Sequence, residues 1–300
     1  MPTPHQVSPL TTAHKVVLLI GTNGFIGNHV LQALQEHTGL LVRTMVRNQI
    51  SDLPAERQSI GDLGDTESIH RALDGVDIVI NAASYVGSDR ARARMTNATG
   101  VQNLVNVWSS AKASHLIHVS TTAVYGSGPH RGASPADLSY APESFASGTR
   151  AVGDASVLAA GGTVLRPSLV YGVGDRWVVP GLARMFTALG ANIDEGGALL
   201  SAIDASQLGR LVAALVSSDP PQGAFHASAP KPITLNELLQ LVRAAGHPLQ
   251  TERSVSLDVA LERLVPLKFT EHQIRMIGQD HWYDSAEVWG LPDAQTITAV

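Results

Sequence analysis

Short apolar runs alternate with longer amphipathic segments through the first half of the chain. The run at 16–20 is Val-Val-Leu-Leu-Ile followed by glycine, which is typical of a buried strand. The longer segments place apolar residues at helical spacing. We predict further strands at 40–46, 77–80, 116–120 and 163–165, and helices at 25–36, 66–73, 95–111 and 144–159. This alternation predicts an α/β fold of the Rossmann type, a doubly wound parallel sheet with helices on both faces.

The pattern changes after residue 171. Three of the four tryptophans (Trp177, Trp282 and Trp289) lie beyond it, among stretches rich in glycine and proline. Segment 199–216 predicts a strand and a helix that return to the main sheet. We therefore predict three parts: a flexible N-terminal tail at 1–13, a Rossmann domain at 14–171 completed by about 199–218, and a smaller C-terminal substrate-binding domain, or cap, at 172–198 and 219–300.

Composition excludes several classes of function. The chain has 300 residues, of which 44% are hydrophobic, so it can bury a sizeable core. A net charge of −5 without a basic patch argues against a nucleic-acid partner. The absence of cysteine excludes disulfides, thiolate catalysis and Cys-ligated metals, and we predict no metal site. The first 13 residues contain no long apolar stretch, so we expect neither a signal peptide nor a membrane span, and a cytoplasmic location.

A glycine-rich turn joins the first predicted strand to the first helix. Its sequence is Gly-Thr-Asn-Gly-Phe-Ile-Gly at 21–27. Glycines at such a turn allow a tight reversal, a close approach of the backbone to a pyrophosphate, and close packing of helix against strand. The N–H groups at the start of the helix then face the phosphates. The turn therefore predicts a dinucleotide site, with contacts from Gly21, Asn23, Gly24, Phe25, Ile26 and Gly27.

Two charged residues refine the choice of dinucleotide. Arg47 ends the second strand, where an acidic residue would normally bind the adenosine ribose hydroxyls. An arginine there suits a 2′-phosphate, so we predict NADPH as the cofactor; the alternative is a solvated cation at a strand end. Asp62 follows a short third strand, where its carboxylate can accept from the adenine amino group. The alternative for Asp62 is a helix-capping loop before Thr66.

Further motifs, in order along the chain, resemble those of the extended short-chain dehydrogenases/reductases. The segments at 62–63 and 81–83 resemble the family's cofactor-binding loops, and 96–100 resembles its Asn-containing helix segment. Segment 119–126 resembles the strand-end motif that carries the catalytic Ser or Thr, which falls on Thr121. Segment 165–172 resembles the one that touches the nicotinamide. The resemblance implies additional cofactor contacts at Leu63, Ala82, Ala83, Val119, Arg150, Pro167, Ser168 and Leu169.

The catalytic pair is where this sequence departs from the family. The family places Tyr and Lys four residues apart on one helix, so that both project from one face. Matching Asp154 to the acidic residue that follows the lysine puts Arg150 at the Lys position and Ala146 at the Tyr position. Alanine has no proton to give, and an arginine with a pKa above about 12 holds ribose hydroxyls without shuttling a proton. Thr121 and Arg150 remain the catalytic candidates; the alternative for Thr121 is a hydroxyl bonded only to the backbone.

Two functions remain open. The first is an NADPH-dependent ketoreductase whose proton comes from the substrate, from water or from another side chain. The overall pattern resembles the atypical ketoreductases of angucyclinone antibiotic biosynthesis, which implies an aromatic polyketide ketone as the small-molecule substrate. A phenol hydrogen-bonded to that ketone would bring its own proton. The candidate substrate contacts are Tyr85, Thr122, Tyr125 and Trp177.

The second function is a non-catalytic NADPH-binding regulatory or sensor protein, which also fits an intact glycine turn without a tyrosine. Epimerase and dehydratase activities rank lower because both need the tyrosine base. The family's dehydratases also carry an Asp-Glu pair where this chain has Thr122-Ala123. The sequence leaves open whether the protein is a monomer or a homodimer.

Overall fold

The computed structural model describes residues 14–111, 113–218, 220–291 and 294. Eleven α-helices occur in the described part of the chain. They are α1 Phe25–Gln35, α2 Thr66–Leu73, α3 Arg90–Arg94, α4 Gly100–Ser110, α5 Phe145–Ala159, α6 Val178–Leu189, α7 Ala205–Ser217, α8 Leu235–Ala244, α9 Leu257–Leu264, α10 Glu271–Gly278 and α11 Ala286–Trp289. A π-helical turn, Met95–Thr99, joins α3 to α4.

Fifteen strands occur in the same part of the chain. They are β1 Lys15–Ile20, β2 Leu40–Val46, β3 Gln58–Ile60, β4 Ile78–Asn81, β5 His115–Val119, β6 His130–Ala133, β7 Thr163–Arg166, β8 Leu169–Tyr171, β9 Asn192–Ile193, β10 Leu199–Leu200, β11 Ala202–Asp204, β12 Gly223–His226, β13 Ile233–Thr234, β14 Ser254–Val255 and β15 His281–Tyr283.

A seven-stranded parallel sheet forms the centre of the molecule. Its strands lie in the order β3-β2-β1-β4-β5-β7-β12, and each pairs in parallel with its neighbours. The chain proceeds from β1 through β2 to β3 in one direction, and from β4 outwards in the other. The crevice between β1 and β4 is therefore the switch point, where the carboxyl ends of parallel strands open a ligand site. The predicted fold class is confirmed.

Two helical layers cover this sheet. Helices α1 and α7 pack together on one face, over a core that includes Leu31 and Leu208. Helices α2, α4 and α5 cover the other face, over a core that includes Ile69 and Leu104. Because both faces are buried, the central strands are almost continuously apolar, which explains why the sequence pattern located them.

A smaller unit lies beyond the carboxyl ends of the central strands. It has its own apolar core, built from α6, α8, α9 and α10 around the fully buried Phe186. A four-stranded sheet, β13-β10-β15-β6, joins this unit to the segment at 130–133. Two further pairs, β11 with β8 and β14 with β9, complete the strand pairing of the described residues.

The predicted boundaries need three corrections. Segment 199–216 contains two strands, and neither lies in the main sheet: β10 pairs with β13 and β15, and β11 pairs with β8. Its helix, α7, does pack on α1. The seventh central strand is β12, at 223–226, inside the range assigned to the cap. A four-residue strand that follows two prolines has too little apolar pattern to be recognised. Trp289 also belongs to the main core, whereas the predicted tail at 1–13 lies outside the described residues.

Within the described residues, no helix combines the length and the apolar character needed to cross a membrane.

Candidate cofactor and active site

The glycine turn has the tight geometry expected of a phosphate-binding loop. Gly21 has φ +97°, and a Cβ there would lie 2.5 Å from the Ala83 nitrogen. A Cβ on Gly27 would lie 2.0 Å from the Gly21 carbonyl oxygen, so this glycine lets α1 approach the strand. Gly24 differs, because its backbone is ordinary and its Cβ would meet only the Gly21 oxygen, at 3.2 Å. Gly21 and Gly27 are thus required by the loop itself, and Gly24 keeps the exposed side of the loop free of a side chain.

The start of α1 is left open to an anion. Its N-cap is Gly24, no side chain caps the helix, and no acidic residue lies in the first turn. The first N–H groups of a helix lack partners within the helix, and they carry a partial positive charge. A pyrophosphate fits this position without displacing any protein group, so these residues fit the phosphates of a dinucleotide.

A groove of about 580 Å³ runs from this turn along the ends of the central strands. Most of the predicted adenosine and phosphate contacts line it, and they lie on four different loops. The lining includes the predicted Gly21, Asn23, Gly24, Arg47, Asp62, Leu63, Ala82 and Ala83. Phe25, Ile26 and Gly27 lie in the first turn of α1, behind the loop rather than on the groove wall.

Arg47 and Asp62 lie exposed at the adenosine end of the groove. Arg47 takes part in no ion pair within the described residues, so its charge is available to a ligand. One oxygen of Asp62 accepts from the Gly64 nitrogen at 2.8 Å, and the other oxygen is left for an adenine amino group. The helix α2 is capped by Asp65 instead, whose carboxylate accepts from the Glu67 nitrogen. Asp62 also accepts from the Asp65 nitrogen and from the Ser68 hydroxyl through its carbonyl, so it stabilises the loop that leads into α2 and both interpretations of Asp62 stay open.

The segments assigned to the nicotinamide end meet through backbone hydrogen bonds. The Ser120 nitrogen donates to the Leu165 carbonyl at 2.7 Å, and the Thr122 nitrogen donates to the Pro167 carbonyl at 3.0 Å. These bonds place Thr121 beside Pro167 and Ser168 at the carboxyl ends of β5 and β7. The Thr121 hydroxyl oxygen accepts from the Ala123 nitrogen at 3.2 Å. Its own hydrogen is consequently free to be donated to a ligand. Val119 is the buried last residue of β5, two residues before Thr121.

Helix α5 carries the pair that departs from the family pattern. Ser144 caps the helix, and Ala146 and Arg150 lie four residues apart on it. The Arg150 guanidinium donates to the Ser120 carbonyl at 2.6 Å, which ties α5 to the end of β5. Burial lowers the pKa of Arg150 to about 10, against the opposing effect of Asp154. Arg150 therefore stays a cation at neutral pH and donates no proton there.

Behind this pair lies a buried charged network that the sequence analysis did not identify. Arg166, at the end of β7, donates to the Asp154 carboxylate at 2.9 Å, to the Tyr125 hydroxyl at 2.5 Å and to the Tyr140 hydroxyl at 2.6 Å. Asp154 and Arg166 are 0% and 3% exposed. The Tyr125 hydroxyl also contacts His226 Nε2 at 3.1 Å. Two signals for this network were present in the sequence: an arginine ending a buried apolar strand, and a carboxylate one helical turn after Arg150.

Three buried histidines belong to the same region. Burial lowers the pKa of His118 and of His226 to about 4, and that of His281 to about 3. All three are neutral at pH 7. Because His118 is neutral and 3.8 Å from Asp154, Arg166 is the charged partner that balances the Asp154 carboxylate. Burial raises the pKa of Tyr125, so its hydroxyl stays protonated within the network.

The four predicted substrate contacts fall in three different places. Thr122 and Tyr125 are 0% and 4% exposed, so their side chains support the site from within and do not form its surface. Tyr85 lines the cofactor groove. Trp177 is 62% exposed and precedes α6, on a loop that is tied to α1 by a contact between His29 Nε2 and the Val173 carbonyl at 2.9 Å. Trp177 is therefore the one of the four that lies exposed near the glycine turn.

Other groove residues were not predicted. Arg92 of α3 and Met95 and Thr96 of the π-helical turn also line the groove. A short helix of arginine and alanine carries no sequence signal for a ligand. In the described part of the chain, no group of three or more acidic or histidine residues is arranged to hold a metal ion.

The open parallel sheet, the groove at its switch point and the glycine turn define a dinucleotide-binding enzyme of the extended short-chain dehydrogenase/reductase class. Residues 17–208 match the NAD dependent epimerase/dehydratase family, and the chain belongs to that family. The expectation of an NAD(P)H-dependent oxidoreductase is confirmed at the level of this class.

Individual proteins agree with this assignment. The chain is 27% identical over 300 residues to 2-alkyl-3-oxoalkanoate reductase of Stenotrophomonas maltophilia, covering 89% of this chain and 90% of the relative. It resembles the structure of UDP-glucuronic acid 4-epimerase from Bacillus cereus in complex with NAD, with a TM-score of 0.67, 19% identity and 92% of each chain covered. The terminal R domain from the myxalamid PKS-NRPS pathway superposes with a TM-score of 0.73 at 18% identity, over 95% of this chain and 86% of that one. The structural likenesses show a shared fold.

Proposed function

We propose that the protein is an NADPH-dependent ketoreductase that reduces a ketone of an aromatic polyketide to a secondary alcohol. The substrate class is an angucyclinone in antibiotic biosynthesis, with the simocyclinone pathway as the specific candidate. One observation carries the proposal: the groove is lined by the predicted adenosine and phosphate contacts, whereas the face of α5 that should supply a proton presents Ala146. A reductase of this kind takes the proton from its substrate or from water, and the substrate is the source that we propose.

Different residues of the chain bind the cofactor and orient the substrate. The start of α1 and Gly24 hold the pyrophosphate, and Arg47 selects the 2′-phosphate. Arg150, anchored on the Ser120 carbonyl, has further N–H groups for the ribose hydroxyls. Thr121 donates its free hydrogen to the substrate carbonyl oxygen and so orients it. The cofactor, when bound, supplies the hydride.

A ketone with a hydroxyl in the peri position carries the proton that position 146 of the enzyme cannot supply. The phenol is hydrogen-bonded to the carbonyl oxygen before the reaction begins, so the proton and the polarisation are both present in the substrate. Losing a positioned general acid costs a reaction about 10²–10⁴-fold. A substrate of this type avoids that loss without any titratable side chain at position 146. The named activity of the Stenotrophomonas maltophilia relative, reduction of a 3-oxo acid, supports ketone reduction as the reaction type.

The test compares a peri-hydroxy aromatic ketone with its methyl ether. We expect kcat/KM with NADPH to fall by roughly 10²–10⁴-fold on methylation, since the substrate loses its acid. Thr121→Ala should lower kcat/KM less than methylation does, because it removes one orienting hydrogen bond and leaves the proton source in place. Equal rates for phenol and ether would show that the acid comes from the enzyme or from water.

The same assay separates the second candidate function. A regulatory or sensor protein would bind NADPH tightly and oxidise it with none of a panel of peri-hydroxy ketones. The missing tyrosine is the observation that favours this alternative, and turnover of any member of the panel would exclude it.

A further inference from the structure

Arg92 is a cation in the cofactor groove to which the proposed function gives no role. The charged residues that line the groove in the described part of the chain are Arg47, Asp62 and Arg92. Arg92 takes part in no ion pair within the described residues. A free guanidinium facing a cavity that binds a polyanion is available to one of its phosphates.

The guanidinium of Arg92 is held in place by its neighbours. It lies over the Tyr85 ring, 4.7 Å from the ring centre. The backbone of Tyr85 is fixed at both ends by the buried Asn97 amide, through a bond from its nitrogen to Asn97 Oδ1 and one from Asn97 Nδ2 to its carbonyl, each 2.8 Å long. Asp89 caps the helix by accepting from the Arg92 nitrogen at 3.1 Å. A cation over an aromatic face is favourable and loses little freedom when it binds an anion.

The neighbouring Met95 relates Arg92 to the adenosine end of the groove. Met95, three residues after Arg92, lies next to the adenosine loop, because a Cβ added to Gly64 would be 3.5 Å from Met95 Sδ. The pyrophosphate end, at Gly21 and Gly24, already has the open start of α1. At the adenosine end the only phosphate of NADPH is the one on the ribose 2′ oxygen, where Arg47 ends β2.

We propose that Arg92 is a second cation for the 2′-phosphate of NADPH, positioned over the adenosine end of the groove by the Tyr85 ring. The inference rests on the proposed preference for NADPH and adds to it a specificity-determining residue. Arg47 approaches the phosphate from the β2 side and Arg92 from the α3 side, so two guanidinium groups would share a group of charge near −2.

The neighbouring arginines of α3 provide matched controls. Arg90 and Arg94, four residues apart, lie on the opposite side of the helix, with their guanidinium groups 4.4 and 5.9 Å from the centre of the Phe145 ring. Neither lines the cofactor groove. Removing Arg94 changes the net charge of α3 by the same amount as removing Arg92, but leaves the groove intact.

The experiment measures the affinity of two fragments by calorimetry. The first is 2′,5′-ADP and the second is 5′-AMP, which lacks only the 2′-phosphate. Arg92→Ala should weaken 2′,5′-ADP about tenfold, the lower end of the effect of a charge-assisted hydrogen bond, and change 5′-AMP less than twofold. Arg94→Ala should change neither. In the double variant Arg47→Ala/Arg92→Ala the two losses should not add, because both residues contact one group.

Each result decides a different point. If the native protein binds both fragments equally, the NADPH preference and the role of Arg92 both fail. If it prefers 2′,5′-ADP and Arg92→Ala weakens both fragments alike, Arg92 contacts the adenosine or the 5′-phosphate that both fragments share, and the 2′-phosphate contact is wrong. If it prefers 2′,5′-ADP and Arg92→Ala changes nothing, Arg47 acts alone. A tenfold effect that shrinks between 0.05 and 0.5 M salt supports the contact, since exposed charges are screened.

Discussion

The glycine turn and the region behind helix α5 differ in whether their polar groups have partners within the protein. At the turn, the first N–H groups of α1 have no cap and Arg47 has no ion pair within the described residues. Behind α5, Asp154 and Arg166 are buried and bonded to each other, with two tyrosine hydroxyls around them. Polar groups without partners are available to a ligand, whereas the ion pair and hydrogen bonds behind α5 stabilise the fold. Substitutions in the first region should therefore change binding, and perturbations of the second should change stability.

The largest expected effect is on cofactor binding and comes from a substitution in the glycine turn. Gly24→Val places a branched side chain where the backbone must approach the pyrophosphate, while its Cβ meets only one protein atom, at 3.2 Å. Losing two or more charge-assisted hydrogen bonds, at roughly 1.5–3 kcal/mol each, should weaken NADPH by about a hundredfold or more. The measurement is titration of NADPH fluorescence, with the melting temperature recorded for each variant.

Gly27→Ala is the contrasting variant. Its Cβ would lie 2.0 Å from the Gly21 carbonyl oxygen, so the loop itself must move and stability should fall. If Gly24→Val also lowers the melting temperature by as much, the glycine turn is structural and the distinction between the two regions is lost.

The next largest effect is a loss of stability at low pH, which tests the buried region behind α5. His118, His226 and His281 are neutral in the folded protein because burial lowers their pKa values to about 4, 4 and 3. In the unfolded chain a histidine takes up a proton near pH 6.5, so the unfolded state binds more protons below that pH. Stability is thus fully present above pH 6.5 and is lost as the pH falls towards 4. At about 1.4 kcal/mol per pKa unit, each buried histidine accounts for on the order of 3 kcal/mol.

Urea unfolding at several pH values between 7.5 and 4.5 measures this loss. His118→Gln removes one titrating group while keeping a polar side chain beside Asn81, and it should lower the slope of stability against pH by about one proton. The variant His37→Gln, at an exposed position, is the matched control for replacing a histidine by glutamine. A native protein equally stable at pH 7 and pH 5 would contradict the burial of these histidines.

The two regions also differ in how far the sequence could predict them. The central strands are largely apolar and the glycine turn follows the first of them directly, so the sequence alone locates both. In the structure, residues on four loops, among them Gly24, Arg47 and Asp62, line one groove. Each of these signals is local, since it depends on residues adjacent in the chain.

The charged network depends instead on contacts between distant segments. Arg166 meets Asp154 across 12 positions, Tyr125 across 41 and Tyr140 across 26. No periodicity or motif predicts which of several buried polar residues will pair across such separations. For the same reason, the sequence predicts Thr122 and Tyr125 as substrate contacts, although both are buried in the structure. The sequence also does not predict β12, because its place in the sheet is set by pairing with β7 rather than by its own four residues.

The smallest expected effect concerns the boundary between the two regions, at Ala146 and Arg150. The variant Ala146→Tyr/Arg150→Lys restores the family pair on α5. If the substrate phenol supplies the proton, kcat/KM for the peri-hydroxy ketone should change by less than about tenfold, and a ring added at the half-buried Ala146 can slow the reaction by overfilling the pocket.

On the methyl ether, which has lost its acid, the same variant should recover part of the 10²–10⁴-fold deficit, because a tyrosine now stands where the proton is needed. Arg150→Lys alone is the control, since it alters the bond to the Ser120 carbonyl without adding an acid. A gain of a hundredfold or more on the free phenol would mean that the native enzyme is limited by the missing tyrosine and that the substrate does not replace it.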